Sequence, residues 1–103
     1  MNIRVGHGID IHKLQKNVPL VLAGVNIPSK VGVVGHSDGD VVIHAIVDAT
    51  LGAMSKGDIG TFFPSDNPKF KDCSSNIFLQ QSLDIMKQEK YNIINIDIII
   101  ELK

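Results

Sequence analysis

Residues 35–54 read GHSDGDVVIHAIVDATLGAM. Turn chemistry gives way to a long apolar run within six residues, which predicts a helix from Asp38 to about Met54 with Gly57 as its stop. Ser37 and Asp38 are the expected cap residues. The run is apolar on most faces, so the helix is expected to be buried on most sides. Asp40, His44 and Asp48 fall one turn apart along a single stripe. On this stretch alone, His44 is either a core histidine hydrogen-bonded to one of those aspartates or a metal ligand.

Upstream, residues 6–12 read GHGIDIH. Residues 2–11 are expected to form a strand, and residues 18–28 a second strand pair or a kinked strand broken at Gly24. Side chains of a strand alternate between faces, so Asp10 and His12 share a side. With His44 they make two imidazoles and one carboxylate, a common catalytic zinc set with its fourth position open. The three can meet only if the helix packs on the first strand. The alternative is that the carboxylate and imidazole hold each other.

Downstream, residues 56–70 (KGDIGTFFPSDNPKF) carry two glycines and two prolines and are expected to be a loop too long for a mere connector. Ser74 or Ser75 then opens a second helix to about Lys90, with Leu79, Leu83 and Met86 as its apolar stripe. Residues 91–102 read as a strand, with Ile94, Ile96, Ile98 and Ile100 on one face. This order predicts an α+β fold, a mixed sheet covered on one side by helices.

The totals narrow the function classes. A chain of 103 residues suits one domain with a modest core, residues 1–103 throughout, and 44% hydrophobic with 20% charged residues suits a folded protein. A net charge of −1 without a basic stripe argues against nucleic acid or a membrane surface as partner. Apolar runs such as VVIHAIV are far too short to cross a bilayer. With no export leader read at the amino terminus, a cytoplasmic or organelle-matrix setting is expected. One cysteine, Cys73, precludes an internal disulfide or a multi-cysteine zinc site.

The GHSDGD segment also bears on anions. Amides that begin a helix favour phosphate, and His36 stands where its ring can donate to the same anion. A well-capped helix is the plain alternative. Asp58, between glycines, is turn chemistry first and a holder of a hydroxyl or cation second.

Taken in order, GHGIDIH, GHSDGDVVIHAIVDATLGA, GDIGTFFP and the lysine-rich NPKFK resemble the 2-C-methyl-D-erythritol 2,4-cyclodiphosphate synthase family, the cyclases of the non-mevalonate isoprenoid pathway. The likeness runs from residue 3 through the last strand. It implies that Asp10, His12 and His44 bind a zinc-type ion and that His36 is catalytic, stabilising the transition state. It implies that Ser37 holds substrate, and that Asp58, Ile59, Gly60, Phe63, Pro64, Ser65, Asp66 and Asn67 surround the methylerythritol part. Asp10, Ile11, His12, His36 and His44 join them in the substrate site, while His7 and Asp48 have supporting roles. A second ion, magnesium or manganese, would bridge the diphosphate.

The implied reaction is intramolecular phosphoryl transfer on 4-diphosphocytidyl-2-C-methyl-D-erythritol 2-phosphate, with release of CMP, which makes the enzyme a phosphorus–oxygen lyase. The implied assembly is a homotrimer with active sites between subunits. Two departures stand out. Asn67 occupies a position where the family usually has aspartate, and the sequence stops at Lys103, before the family's cytosine-gripping loop, final strand and helix, and Thr-Thr-x-Glu segment. A catalytically silent metal- or ligand-binding fragment is therefore a second expectation. A zinc hydrolase using Asp40 or Asp48 as acid or base is a third, less compatible with the resemblance.

Overall fold

The computed structural model describes residues 2–35, 37–64 and 66–103. Their order is β1 (Asp10–His12), β2 (Leu14–Lys16), β3 (Leu20–Leu22), β4 (Val25–Ile27), β5 (Val31–Val33), α1 (Val41–Ala53), α2 (Ile59–Phe62), a 3₁₀ turn (Pro68–Phe70), α3 (Asn76–Gln88) and β6 (Ile100–Leu102). The class is α+β, as expected. Among the described residues the strands form three two-stranded ladders rather than one broad sheet: β1 pairs with β6 in parallel, while β2–β5 and β3–β4 are antiparallel.

The strand pair read around Gly24 is a hairpin. Leu22 faces Val25 in register, and the two-residue turn has φ of 53° at Ala23 and 78° at Gly24. Positive φ at both central residues matches the right-handed twist of the flanking strands. The terminal strands are shorter than expected. Residues 2–9 and 91–99 carry no ladder, because pairing between the two ends begins only at Asp10 opposite Ile100. An alternating side-chain pattern makes a strand only where another backbone meets its amides. Ile94, Ile96 and Ile98 stay 88%, 47% and 42% exposed, so the isoleucine face is only partly covered among the described residues.

α1 ends where expected, but it starts at Val41, three residues later than the sequence suggested. Its N-cap is Asp40, which accepts from the Ile43 amide at 3.1 Å. Gly39, with φ of 72°, sets the chain in the left-handed region and blocks a helical turn through Asp38. The Asp40 carboxylate is wholly buried and also accepts from the hairpin amides of Ala23 and Gly24 at 3.0 and 2.7 Å. One side chain thus starts the helix and ties the hairpin to it.

The helix is buried on two sides, as its apolar faces predicted. Val47, Leu51, Ile43 and Met54 join Phe63, Phe70 and Phe78 in the core, with the three phenylalanine rings at centroid distances of 4.5–5.6 Å. On the other side the amino-terminal segment lies so close to α1 that a Cβ on Gly8 would sit 2.2 Å from the Ala45 carbonyl oxygen. Glycine there lets the backbone approach the helix, and that approach delivers β1 to His44. The long loop contains α2 and the 3₁₀ turn instead of being irregular throughout. α3 carries the expected stripe, with Leu79 and Met86 against the core, and centres it on the buried Phe78.

Candidate metal centre

β1 places Asp10 and His12 on its inner face and turns Ile11 outward, 53% exposed. α1 presents His44 to the same point. Asp10 Oδ2 lies 3.1 Å from His12 Nδ1 and 3.3 Å from His44 Nδ1, and the two imidazole rings meet edge to face at 5.6 Å. One ligand atom from each of the three residues falls within 4.8 Å of the others. The His44 ring therefore does not bond to the Asp40 or Asp48 carboxylate, the partners that the core-histidine reading named. Those aspartates are engaged elsewhere, Asp40 as described and Asp48 with the Ile59 amide at 2.9 Å.

The donor set suits a divalent ion. Asp10 Oδ2 and His12 Nδ1 are buried with no hydrogen-bond partner, because their 3.1 Å approach is misaligned for a hydrogen bond. Buried polar atoms ordinarily have partners, and an orphaned pair beside a third lone-pair donor is relieved by a cation. Burial by itself raises the Asp10 carboxyl, but polar contact with and charge attraction to the imidazolium forms of His12 and His44 outweigh it and hold it at about 2. The carboxylate is ionised and ready to ligate.

A cavity of about 190 Å³ opens beside the cluster, lined by His12, Ser37, His44, Ile59, Gly60 and Phe63. Ile59, Gly60 and Phe63 thus wall the cavity beside His12 and His44. Asp58 is exposed and caps α2, accepting from the Thr61 amide and hydroxyl, each at 2.9 Å. These hydrogen bonds hold its carboxyl below the usual carboxylate range. Asn67 caps the 3₁₀ turn by accepting from the Lys69 amide at 3.0 Å. Pro64 is half-buried and Asp66 exposed, and His7 is exposed and not a member of the three-residue group. His36 and Ser65 lie outside the described residues.

Ser37 is not a cap. It is buried, and its hydroxyl lies 3.2 Å from His44 Nε2. The sequence reading missed two further contacts of that histidine's surroundings. Ser75 Oγ lies 2.9 Å from His44 Nε2, and Asp38 accepts from both the hydroxyl and the amide of Ser75, the latter at 3.0 Å. Ser75 was legible only as a helix start. It occupies the N-cap position of α3, yet its side chain makes no capping hydrogen bond.

Comparison with known proteins identifies the family. Residues 3–103 match the model of the YgbB family. A curated protein of Shewanella loihica, 2-C-methyl-D-erythritol 2,4-cyclodiphosphate synthase, is 49% identical over 100 residues, covering 97% of this chain and 62% of the relative. A solved structure of 2C-methyl-D-erythritol-2,4-cyclodiphosphate synthase superposes with a TM-score of 0.79 at 42% identity, covering 84% of this chain and 58% of the other. A second, described as the form bound to CDP, has a TM-score of 0.78 at 41% identity with the same coverage. The chain spans about 60% of the length of the curated relatives it matches.

Proposed function

The chain belongs to the YgbB family, and from that premise we propose that it serves the cyclisation of 4-diphosphocytidyl-2-C-methyl-D-erythritol 2-phosphate to 2-C-methyl-D-erythritol 2,4-cyclodiphosphate, with release of CMP. The observation that carries this reading is the convergence of Asp10, His12 and His44, two of their polar atoms buried and unpartnered, at the mouth of a cavity. The CDP-bound relative supports a cytidine-diphosphate-linked ligand.

Asp10, His12 and His44 would hold a zinc-type ion, whose bound charge would offset that of phosphate oxygens. In the proposed reaction an oxygen of the 2-phosphate forms a bond to the β-phosphorus. The bond from that phosphorus to the bridging oxygen breaks, and its electron pair leaves on CMP. The nucleophile is already an anion, so the step needs no general base, and positioning with charge stabilisation supplies the rate. His36 is assigned to the transferring phosphoryl group and Ser37 to substrate. On this reading Ile59, Gly60 and Phe63 would face the sugar, with Asp58, Pro64, Ser65, Asp66 and Asn67 assigned to the same part of the substrate, and Ile11 would contribute through its backbone. A magnesium or manganese ion on the diphosphate belongs to the same reading.

We also propose a homotrimer, in the cytoplasm, with sites shared between subunits. The exposed isoleucines of residues 93–99 favour assembly, since an apolar face of that kind is seldom left to water. Sedimentation as a stable monomer at micromolar concentration would remove it.

The test of function is CMP release from the diphosphocytidyl substrate with zinc and magnesium present. His36→Ala should lower turnover and leave zinc stoichiometric. Zinc retention without any CMP release from the unmodified protein would overturn the cyclase reading and leave the metal centre standing.

A further inference from the structure

Ser75 Oγ has three neighbours within hydrogen-bond distance: an Asp38 carboxylate oxygen, His44 Nε2 at 2.9 Å and Ser37 Oγ at 3.4 Å. A hydroxyl offers one proton and two lone pairs, so three partners use it completely. Which partner receives the proton is decided by Asp38. Its two oxygens already accept from backbone, Oδ1 from the Asp40 amide at 3.1 Å and Oδ2 from the Ser75 amide at 3.0 Å. Asp38 is therefore placed as an acceptor, and the Ser75 proton points to it. The remaining lone pairs of Ser75 must accept, one of them from His44.

His44 Nε2 is then the protonated nitrogen. In a neutral imidazole the other nitrogen carries the lone pair, and Nδ1 is the atom that faces Asp10 Oδ2 at 3.3 Å. Two lone pairs confronting each other across that gap repel unless a cation lies between them. The same tautomer is the one a metal needs from this ring.

We infer that Ser75, oriented by Asp38, is a positioning residue that fixes the His44 tautomer and so directs the Nδ1 lone pair into the Asp10–His12–His44 cluster. The inference rests on the reading of that cluster as a divalent-metal centre. It explains why a wholly buried serine at a helix start gives up its own cap. The contact spans 31 residues of sequence, so the packing of α3 on α1 presets the ligand before any ion arrives.

The experiment has two readouts, neither of them catalytic. In metal-free, ¹⁵N-labelled protein, long-range imidazole proton–nitrogen correlations report the His44 tautomer, assigned by comparison with His44→Ala. The expected result is a proton on Nε2, and a proton on Nδ1 would overturn the inference. Zinc affinity is then measured by competition with a chromogenic chelator. Ser75→Ala should weaken it by about 10- to 100-fold, the usual effect of removing a partner of a ligating histidine. Ser75→Thr, which keeps the hydroxyl, should restore most of the loss. Zinc affinity in a folded Ser75→Ala equal to that of the unmodified protein would also overturn it. If Ser75→Ala fails to fold, the tautomer of the unmodified protein still decides. Loss of zinc in His44→Ala with retention in Ser75→Ala would remove only the positioning role, whereas retention in His44→Ala would remove the metal centre itself.

Discussion

Asp48 and Ile59 join the middle of α1 to the start of α2, the Asp48 carboxylate accepting from the Ile59 amide at 2.9 Å. Asp48 lies one helical turn beyond His44, so the same helix that carries a candidate metal ligand also anchors the wall of the adjacent cavity. Asp48→Ala should free that wall and leave the ligands in place. Loss of a hydrogen bond to a charged group is worth about 1.5–3 kcal/mol, so on the proposed cyclase reading KM for the diphosphocytidyl substrate should rise by roughly 10- to 150-fold at most. Bound zinc should stay stoichiometric, and a fall in zinc content would mean that Asp48 supports the ligands directly.

The ligand assignment predicts unequal effects among histidines. His44→Ala and His12→Ala should each weaken zinc binding more than about 100-fold, beyond the effect typical of a supporting residue. His7→Ala should leave affinity within about twofold, because His7 is exposed and makes none of the three ligand contacts. Chelator competition on the three variants checks this, and equal losses would contradict it.

The Asp10 carboxyl gives the metal-free protein an acid limb. Its pKa in the fold, about 2, lies below the ordinary aspartate value of 3.8. A depressed pKa contributes stability that is complete above the unfolded value and is lost as pH falls through the folded one. The window is therefore from about pH 4 down to about pH 2, and the loss should not exceed about 2 kcal/mol, discounted for partial exposure. Urea midpoints of metal-free protein at pH 5 and pH 2.5 should separate more than those of Asp10→Asn. Identical separations would show that the two histidines do not stabilise the carboxylate.

Asp40 should matter to folding rather than to chemistry. Asp40→Ala removes the helix cap and leaves the amides of Ala23, Gly24 and Ile43 without their acceptor. A lost cap costs about 1 kcal/mol and each stranded donor about 1–3 kcal/mol, so the net loss should be about 3 kcal/mol or more. Asp40→Asn keeps an acceptor oxygen and should cost less. Urea unfolding of the two variants tests the order.

Local chemistry determined much of this protein. The period-two spacing of Asp10 and His12 puts them on one face whatever they later meet. The apolar run from Val41 to Ala53 is too long for a typical strand, and a left-handed Gly39 marks where its helix can begin. The Gly24 hairpin and the Leu79–Met86 stripe of α3 are likewise set by neighbours in sequence. Tertiary packing decided the rest. Asp40 became the cap in place of Ser37 or Asp38 because the hairpin amides and the helix start converge on its carboxylate, while Asp38 was drawn to Ser75. Only part of the isoleucine strand pairs, since its ladder depends on where the amino-terminal backbone lies. His44 found Asp10 instead of an aspartate of its own helix, because Gly8 lets β1 close on α1. Ser75 reached His44 because α3 packs on α1 through Phe78. Each is a contact between residues distant in sequence, and periodicity along one segment carries no record of which other segment will lie across it.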